Sequence, residues 1–197
     1  GMEGYKTMAY EIFHQLGGRA PDKIFFPVGG GDGAWGIYKG FEEMTRLGLA
    51  ARVPQIIACQ SAAGAPLVHA CRENLPTVEP VAISATIAYS IVDRQSGHHA
   101  LMALRRSRGR AVAVDDAALR RAEESLRRSG ICVEPSSAAS LAGVRALVGE
   151  GERLAGETVV LIATGTGLRW PATFDGISST PPIVAASLSA LSREVSL

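Results

Sequence analysis

The residues with the clearest chemical potential are the glycines of GGGDG, at positions 29–33. They follow the apolar stretch IFFPV at 24–28 and precede a helical pattern that begins near Ala34. Residues without a Cβ atom let successive backbone N–H groups reach an anion, and the positive end of a helix dipole favours the same ligand. The loop is therefore predicted to bind a phosphate group. Taken alone, a tight turn without a ligand explains the glycines equally well.

The glycine pattern matches neither common nucleotide fingerprint. No Lys-Ser or Lys-Thr pair follows the glycines, and their spacing is not G-x-G-x-x-G, so an ATP site is not indicated. Two further polar turns follow apolar stretches, CVEPSS at 132–137 and ATGTG at 163–167. Because parallel strands end at one edge of a sheet, these turns are expected to line the same crevice as the glycines. Ser136 or Ser137 is also a predicted helix N-cap.

The remaining pattern predicts an α/β fold, with a mostly parallel sheet between helices in three layers. Short apolar stretches predict strands at 24–28, 55–59, 111–114, 131–134 and 158–163. Amphipathic segments predict helices at about 6–16, 34–48, 62–74, 98–107, 116–128 and 137–149. We expect a single domain over 1–197, whose tail at 172–197 is partly irregular, with one terminal helix from 183.

Composition narrows the class of protein. The chain has 197 residues, of which 47% are hydrophobic, and 20 Lys+Arg against 19 Asp+Glu leave a formal charge of +1. This balance gives no reason to expect nucleic acid as a partner. No apolar stretch reaches the ~18 residues of a membrane span, and three unpaired cysteines indicate a reducing, cytoplasmic location. The four histidines lack metal-ligand spacing, so no metal site is predicted, and the hydrolase motif G-x-S-x-G is absent.

Six ordered segments resemble threonine synthase and its relatives, which are pyridoxal-phosphate enzymes of the tryptophan-synthase-β-like fold, or fold type II. The segments are EGYKTMAYEIFHQLG (3–17), PVGGGDGAWGIYKGFEE (27–43), IIACQSAAGAPLVHA (56–70), ATIAYSI (85–91), VEPSSAASLAGV (133–144) and ATGTGLRWP (163–171). Their common order is much more specific than any single motif. The resemblance implies that the chain corresponds to the C-terminal part of the large domain of such an enzyme.

The resemblance also assigns roles to individual positions. The family's phosphate loop matches Gly29, Gly30, Gly31, Asp32 and Gly33. The hydroxyl partner of the pyridine nitrogen matches Thr164, and a neutral partner there would leave that nitrogen largely unprotonated. The EPSSAAS turn matches a segment that lines the cofactor cleft, which makes Glu134 and Ser136 weaker candidates. The implied cofactor is pyridoxal 5'-phosphate, bound in the complete enzyme.

Two positions depart from the family pattern. Gly33, preceded by Asp32, replaces an asparagine that is common near the end of the loop, and Thr166 stands where many threonine synthases have histidine. The resemblance implies an amino-acid substrate, usually O-phosphohomoserine, and replacement or elimination at the β or γ carbon. Because of these departures, a dehydratase or another replacement activity stays open.

The cofactor-binding lysine is a larger departure. In the family, the Schiff-base lysine and the small domain precede the segment that begins at Glu3, and here only two residues do. We therefore expect the C-terminal part of a longer enzyme, either truncated or naturally shortened, with no catalytic residue of its own. The three lysines of the chain do not replace the missing one. Lys39 is predicted on a solvated helix face and Lys23 at the end of the sheet opposite the crevice, whereas a Schiff-base lysine is desolvated. The resemblance excludes Lys6, because the family position that it matches is not the Schiff-base residue.

A second hypothesis is a non-catalytic binding or assembly module that keeps the phosphate pocket, pairing with a separate partner that carries the lysine. In either case, sheet edges or apolar faces that the missing segment covers in the family would be open. Such surfaces favour self-association, so a homodimer is predicted.

Overall fold

The computed structural model describes residues 1–170 and 184–194. The strands are β1 (Lys23–Pro27), β2 (Gln55–Ser61), β3 (Arg110–Val114) and β4 (Val159–Leu161). The helices are α1 (Lys6–Gln15), α2 (Asp32–Arg46), α3 (Pro66–Arg72), α4 (His98–Arg106), α5 (Asp116–Arg128), α6 (Ala139–Gly149) and α7 (Leu188–Glu194). Short 3-10 turns occupy Met2–Tyr5 and Gly167–Arg169.

The four strands form one sheet in the order β3-β2-β1-β4. All three pairings are parallel, and Phe25 in the centre lies opposite Ile57 on one side and Leu161 on the other. Parallel neighbours require a crossover between strands, which the helices provide. The carboxyl ends of the strands consequently meet at one edge, where the glycine loop follows β1 and the ATGTG turn follows β4.

Helices cover both faces of the sheet, which confirms the three-layer α/β prediction. Side chains alternate along a strand, so Ile24 and Phe26 pack with α1, α2, α3 and α4, and Phe25 packs with α5 and α6. Gly143 of α6 allows a close approach to β2, since a Cβ there would lie 2.4 Å from Cys59 Sγ.

The predicted strand at 131–134 is wrong. This segment makes only an isolated antiparallel bridge between Val133 and Thr166. It follows Gly130, whose φ of 82° ends α5 in the left-handed conformation, and it precedes Pro135, which has no N–H to donate to a strand partner. Val133 is apolar because it is buried beneath α5 and α6, not because it extends the sheet.

Several helix boundaries also differ from the prediction. Helix α2 begins at Asp32, with Gly31 as its N-cap, so the last two residues of GGGDG belong to its first turn. The N-cap of α6 is Ala138 without a side-chain hydrogen bond, so the prediction that Ser136 or Ser137 caps this helix is wrong. Helix α5 matches its prediction, and the carboxylate of Asp115 caps it by accepting the N–H of Ala118 at 2.7 Å.

The predicted tail lies largely beyond the residues that the structure describes. Of positions 172–197, only 184–194 are described, and they include α7 at Leu188–Glu194. Among the described residues, no helix combines the length and the apolar character that crossing a membrane requires. Within residues 1–170 and 184–194, no group of His, Cys, Asp or Glu is arranged to hold a metal ion, and the three cysteines are unpaired.

Candidate functional site

The glycine loop joins β1 to α2 at the carboxyl edge of the sheet. Gly31 has a φ of 101°, and a Cβ there would lie 2.3 Å from the Cβ of Ala100. Gly33 packs on Phe26, whose Cζ would lie 2.4 Å from an added Cβ. Both positions therefore exclude larger residues for reasons of packing, and Gly31 also for its backbone conformation. A Cβ on Gly30 would meet nothing closer than 3.9 Å, so packing alone does not demand glycine there.

Hydrogen bonds to two carbonyl groups fix the orientation of the loop. Ser96 Oγ donates to the oxygen of Gly29 at 2.6 Å, and the N–H of Gly97 donates to the oxygen of Gly30 at 2.7 Å. In a trans peptide the C=O and the following N–H point in opposite directions. The N–H groups of Gly30 and Gly31 are therefore turned away from residues 96–97. The amides of Gly29, Gly30 and Gly31 donate to no other described residue.

Gln60 connects this loop to the rest of the edge. Its side chain is fully buried, and its Nε2 donates to Ser96 Oγ at 3.1 Å and to the carbonyl oxygen of Val28 at 3.3 Å. Its Oε1 accepts the N–H groups of Leu67 and Val68 at the start of α3. One amide thus joins β1, β2, α3 and the Ser96 segment, with all its hydrogen-bonding groups satisfied.

Asp32 brings a negative charge into the predicted phosphate loop. His99 Nε2, on α4, lies 2.8 Å from Asp32 Oδ1 without the alignment of a hydrogen bond. The carboxylate of Asp32 therefore lies beside α4. The backbone of Asp32 still begins α2, where the first N–H groups of a helix have no partner within it.

The opposite wall is formed by the turns at 134–137 and 164–165. Ser137 Oγ accepts the N–H of Gly165 at 2.6 Å and of Thr164 at 3.1 Å, and it lies 2.9 Å from Thr164 Oγ1. Glu134 lies against Gly165, where an added Cβ would be 2.5 Å from the carboxyl carbon. Ser90 Oγ donates to Glu134 Oε1 at 3.1 Å. Both turns are thus held together, although their segments are far apart in sequence.

Two adjacent clefts separate these walls, and Gly30 and Thr164 border both. One, of about 440 Å³, is also lined by Gly29, Ser90, Glu134 and Arg169. The other, of about 540 Å³, is also lined by Gly31, Asp32, Gly33 and Tyr5. Seven of the eight predicted site residues therefore meet around one pair of clefts. Ser136 lines neither cleft and is buried behind the wall.

Sequence reasoning missed several residues of this site, namely Gln60, Ser90, Ser96 and Arg169, and assigned Ser137 only as an alternative cap. A signal existed for Gln60, since a polar side chain inside the apolar strand QIIACQS must find partners when buried. Ser90 lies in the segment ATIAYSI, which suggested no role for it, and Ser96 lies in no motif. Their partners are 44 and 67 residues away in sequence.

All three lysines are paired with carboxylates away from the clefts. Lys6 binds Glu3 and Glu43, and Lys39 binds Glu3. Hydrogen bonds to these carboxylates, that to Glu3 first, raise the pKa of Lys6. A charged amine is a poor nucleophile, so neither geometry nor protonation favours Lys6 for covalent chemistry.

Lys23 lies at the start of β1, at the opposite end of the sheet from the glycine loop. It binds Glu157 Oε1 at 2.7 Å and lies 3.4 Å from Glu152 Oε1. Burial lowers the pKa of Lys23, but hydrogen bonding and attraction to these two carboxylates outweigh it and raise the pKa. Lys23 is therefore also kept charged, and its ion pairs lie at the end of the sheet opposite the glycine loop.

The parallel α/β fold and the two clefts at the carboxyl edge of its sheet are those of a fold type II pyridoxal-phosphate enzyme. Comparison with known sequences supports this class. A family model described as pyridoxal-phosphate dependent enzyme matches residues 1–165. The chain belongs to this family, whose cofactor is pyridoxal phosphate.

Within the family, the chain is similar to threonine synthases, which confirms the resemblance seen in the sequence. It is 37% identical over 197 residues to threonine synthase of Methanosarcina acetivorans, covering 98% of this chain and 49% of that protein. It is 35% identical over 195 residues to threonine synthase of Methanocaldococcus jannaschii, covering 98% and 48%. The chain thus spans about half the length of these curated relatives.

Solved structures show the same fold. An L-serine ammonia-lyase from Rhizomucor miehei superposes with a TM-score of 0.72 at 21% identity, covering 90% of this chain and 56% of that one. Threonine deaminase isoform 2 from Solanum lycopersicum gives 0.70 at 20% identity, covering 92% and 50%. These neighbours support fold type II.

Proposed function

We propose that this chain forms the cofactor-phosphate half of the active site of a threonine-synthase-like lyase. The observation that carries the proposal is the fixed glycine loop. Its carbonyl groups are tied to Ser96 and Gly97, and its amides face away from them. Backbone amides in such an arrangement, at the start of a helix, favour a phosphate group.

The residues present fit the cofactor that the family uses. The amides of Gly29, Gly30 and Gly31 would hold its phosphate, and the Gly30 position leaves room that a Cβ would fill.

Thr164 would place its hydroxyl at the pyridine nitrogen, oriented by Ser137 Oγ at 2.9 Å. Asp32 and Gly33 would contribute backbone at the start of α2, and Glu134 would border the ring side of the cleft. The bound cofactor supplies an electron sink for carbon-centred chemistry.

The proposed substrate is an amino acid, O-phosphohomoserine or a similar compound, changed by replacement or elimination at the β or γ carbon. The support is the similarity over almost the whole chain to proteins named threonine synthase. We further propose that the isolated chain does not turn over, since each of its lysines is paired with carboxylates outside the clefts. Self-association as a homodimer and a cytoplasmic location belong to the same proposal. The unpaired cysteines fit that location.

Substitution of Gly30 by alanine tests the phosphate role. The nearest neighbour of the added methyl group is Asp93 Oδ2, at 3.9 Å, so the substitution should cause no clash within the protein. We expect pyridoxal phosphate, titrated by its absorbance and fluorescence, to bind at least about tenfold more weakly, a loss of about 1.4 kcal/mol. The thermal midpoint should hardly change. Gly149→Ala is the matched control, because nothing lies within 4 Å of a Cβ there and it is remote from the clefts. Equal affinity in both variants would refute the proposal.

Reduction with borohydride tests the absence of a covalent lysine. After incubation with pyridoxal phosphate and reduction, the intact mass and a peptide map should show no stoichiometric adduct at one site. A single, complete adduct on Lys6, Lys23 or Lys39 would instead show that the chain carries its own nucleophile.

A further inference from the structure

Arg169 lies in the cleft that also contains Gly29, Gly30 and Glu134. Several other arginines are bound to protein groups, including Arg52 to Asp22 and Arg110 to Glu150. The guanidinium of Arg169 binds no residue in the described part of the chain. A cation without a protein partner in a cleft of about 440 Å³ is well placed to bind an anion.

The backbone that carries Arg169 is fixed on both sides. Thr166 Oγ1 accepts the N–H of Leu168 at 3.3 Å and caps the 3-10 turn Gly167–Arg169. Beyond the turn, Trp170 stacks on Tyr89 with ring centroids 4.7 Å apart. Thr166, a departure from the family pattern, therefore has a local role in orienting this turn. Arg169 is therefore the last residue of a turn that is held by the Thr166 cap on one side and by the Trp170–Tyr89 stack on the other.

Glu134 does not neutralise Arg169, although both side chains line the cleft. Its carboxylate accepts a hydrogen bond from Ser90 Oγ at 3.1 Å and packs against Gly165. Among the described residues, no ion pair joins Glu134 to Arg169. The cleft therefore presents one positive and one negative group separately, which suits a zwitterionic amino acid better than a simple anion.

We propose that Arg169 binds an oxyanion of the amino-acid substrate, either its carboxylate or a phosphate ester on its side chain. This rests on the proposed function, because it places the substrate beside the cofactor phosphate held by the glycine loop. A planar guanidinium can donate two parallel hydrogen bonds to either group, which fixes orientation as well as charge. Arg169 is thus a substrate-binding residue that serves specificity.

Chemical modification of arginine tests the inference on the unaltered chain. The protein is treated with phenylglyoxal in phosphate-free buffer, and the modification rate of each arginine is followed by peptide mass spectrometry. The probes are O-phospho-L-homoserine, L-homoserine and inorganic phosphate, each added separately. Arg120 on α5 is the internal control, since it is exposed and binds no described residue.

We expect O-phospho-L-homoserine to slow modification of Arg169 at least about fivefold, with no change at Arg120. Slowing by inorganic phosphate but not by L-homoserine would identify the phosphate ester, and slowing by L-homoserine would identify the carboxylate. Unchanged modification of Arg169 with all three probes would overturn the inference.

Two variants separate this inference from the proposed function. Arg169→Ala should bind O-phospho-L-homoserine, followed by calorimetry, at least about fivefold more weakly than the wild type does; Arg169→Lys should recover part of this loss. Failure of the wild type to bind pyridoxal phosphate would refute the proposed function alone, because protection of Arg169 is measured without the cofactor. Equal amino-acid binding by Arg169→Ala and wild type would refute the role of Arg169 alone.

Discussion

Ser96 Oγ donates a 2.6 Å hydrogen bond to the carbonyl oxygen of Gly29, across 67 residues of sequence. The hydroxyl also accepts the side-chain N–H of Gln60. The first peptide of the glycine loop is thereby held with its oxygen toward the protein and the next N–H toward the cleft. Orientation of the loop amides that we propose to bind phosphate thus depends on a side chain that no glycine motif contains.

Loss of this hydroxyl should weaken phosphate binding as well as the fold. In Ser96→Ala, the Gly29 carbonyl and the Gln60 amide both lose a buried partner, which costs about 1–3 kcal/mol. We expect affinity for pyridoxal phosphate, measured by titration at a temperature where the variant is folded, to fall about five- to tenfold. Ser107→Ala is the matched control, because Ser107 is also buried and donates to a carbonyl, at the other end of the sheet. A similar loss in the control would contradict the specific role of Ser96.

Asp116 should control the order of the segment that carries Ser90. Its carboxylate accepts the hydroxyl of Thr86 at 2.5 Å and the N–H of Ile87 at 3.2 Å. We expect Asp116→Ala to lose about 1–3 kcal/mol of stability and to speed amide hydrogen exchange at residues 86–91.

Asp115 provides the control for this prediction. It caps α5 and makes no hydrogen bond to residues 86–91, so Asp115→Ala should cost about 1 kcal/mol and leave exchange in that segment unchanged. Equal exchange at residues 86–91 in both variants would contradict the prediction.

The pairing of Lys23 should make stability depend on pH in the alkaline range. Because its pKa is raised in the folded state, the stabilisation is fully present below the unfolded pKa of about 10.4 and is lost as pH rises through the folded value. We expect Lys23→Met to be less stable than wild type by about 1.5–3 kcal/mol near neutral pH, with a smaller difference at about pH 11.5. Urea denaturation at both pH values measures this.

Lys39→Met is the comparison for Lys23→Met. Its ion pair with Glu3 is more exposed, so it should cost less than about 1 kcal/mol near neutral pH. A wild-type advantage over Lys23→Met that grows with pH would contradict the sign of the effect.

The outer edge of β4 should contribute to self-association. In the described part of the chain, β4 pairs only with β1, and Leu161 is 37% exposed. A charged residue on an edge strand opposes further pairing. We expect light scattering to show a homodimer for the wild type and a dissociation constant at least about tenfold higher for Leu161→Lys. Leu47→Lys, at a more exposed leucine next to α2, should leave the dimer intact. A monomeric wild type, or equal effects of the two substitutions on dissociation, would contradict a role of the β4 edge in self-association.

The sequence predicted the main fold because apolar stretches of four to six residues and amphipathic periodicity follow directly from burial. Four of five strands and the six main helices were found in this way. The segment at 131–134 failed because Val133 is buried at the rim, and burial without sheet pairing leaves the same apolar pattern. Helix boundaries shifted where the backbone, as at Gly31 and Ala138, made the cap instead of a side chain.

The candidate site was predictable to the extent that its chemistry lies in the backbone. Glycines at a strand end indicate exposed amides wherever they occur, and the resemblance added Thr164 and Glu134. The residues that orient these groups, such as Ser96, act across long sequence separations and are common residue types. Arg169 was overlooked because one arginine near the end of a motif has no distinguishing pattern until its neighbours in space are known.

The four hydrogen bonds of Gln60 have a consequence for the order of events during synthesis. The glycine loop leaves the ribosome long before Ser96 and Gly97, which hold its two carbonyl groups. Until that later segment packs against Gln60 and α3, the Gly29 and Gly30 carbonyl groups lack the hydrogen bonds that fix the loop. The proposed affinity for phosphate therefore requires the later segment, and we expect it only after this edge of the sheet has formed.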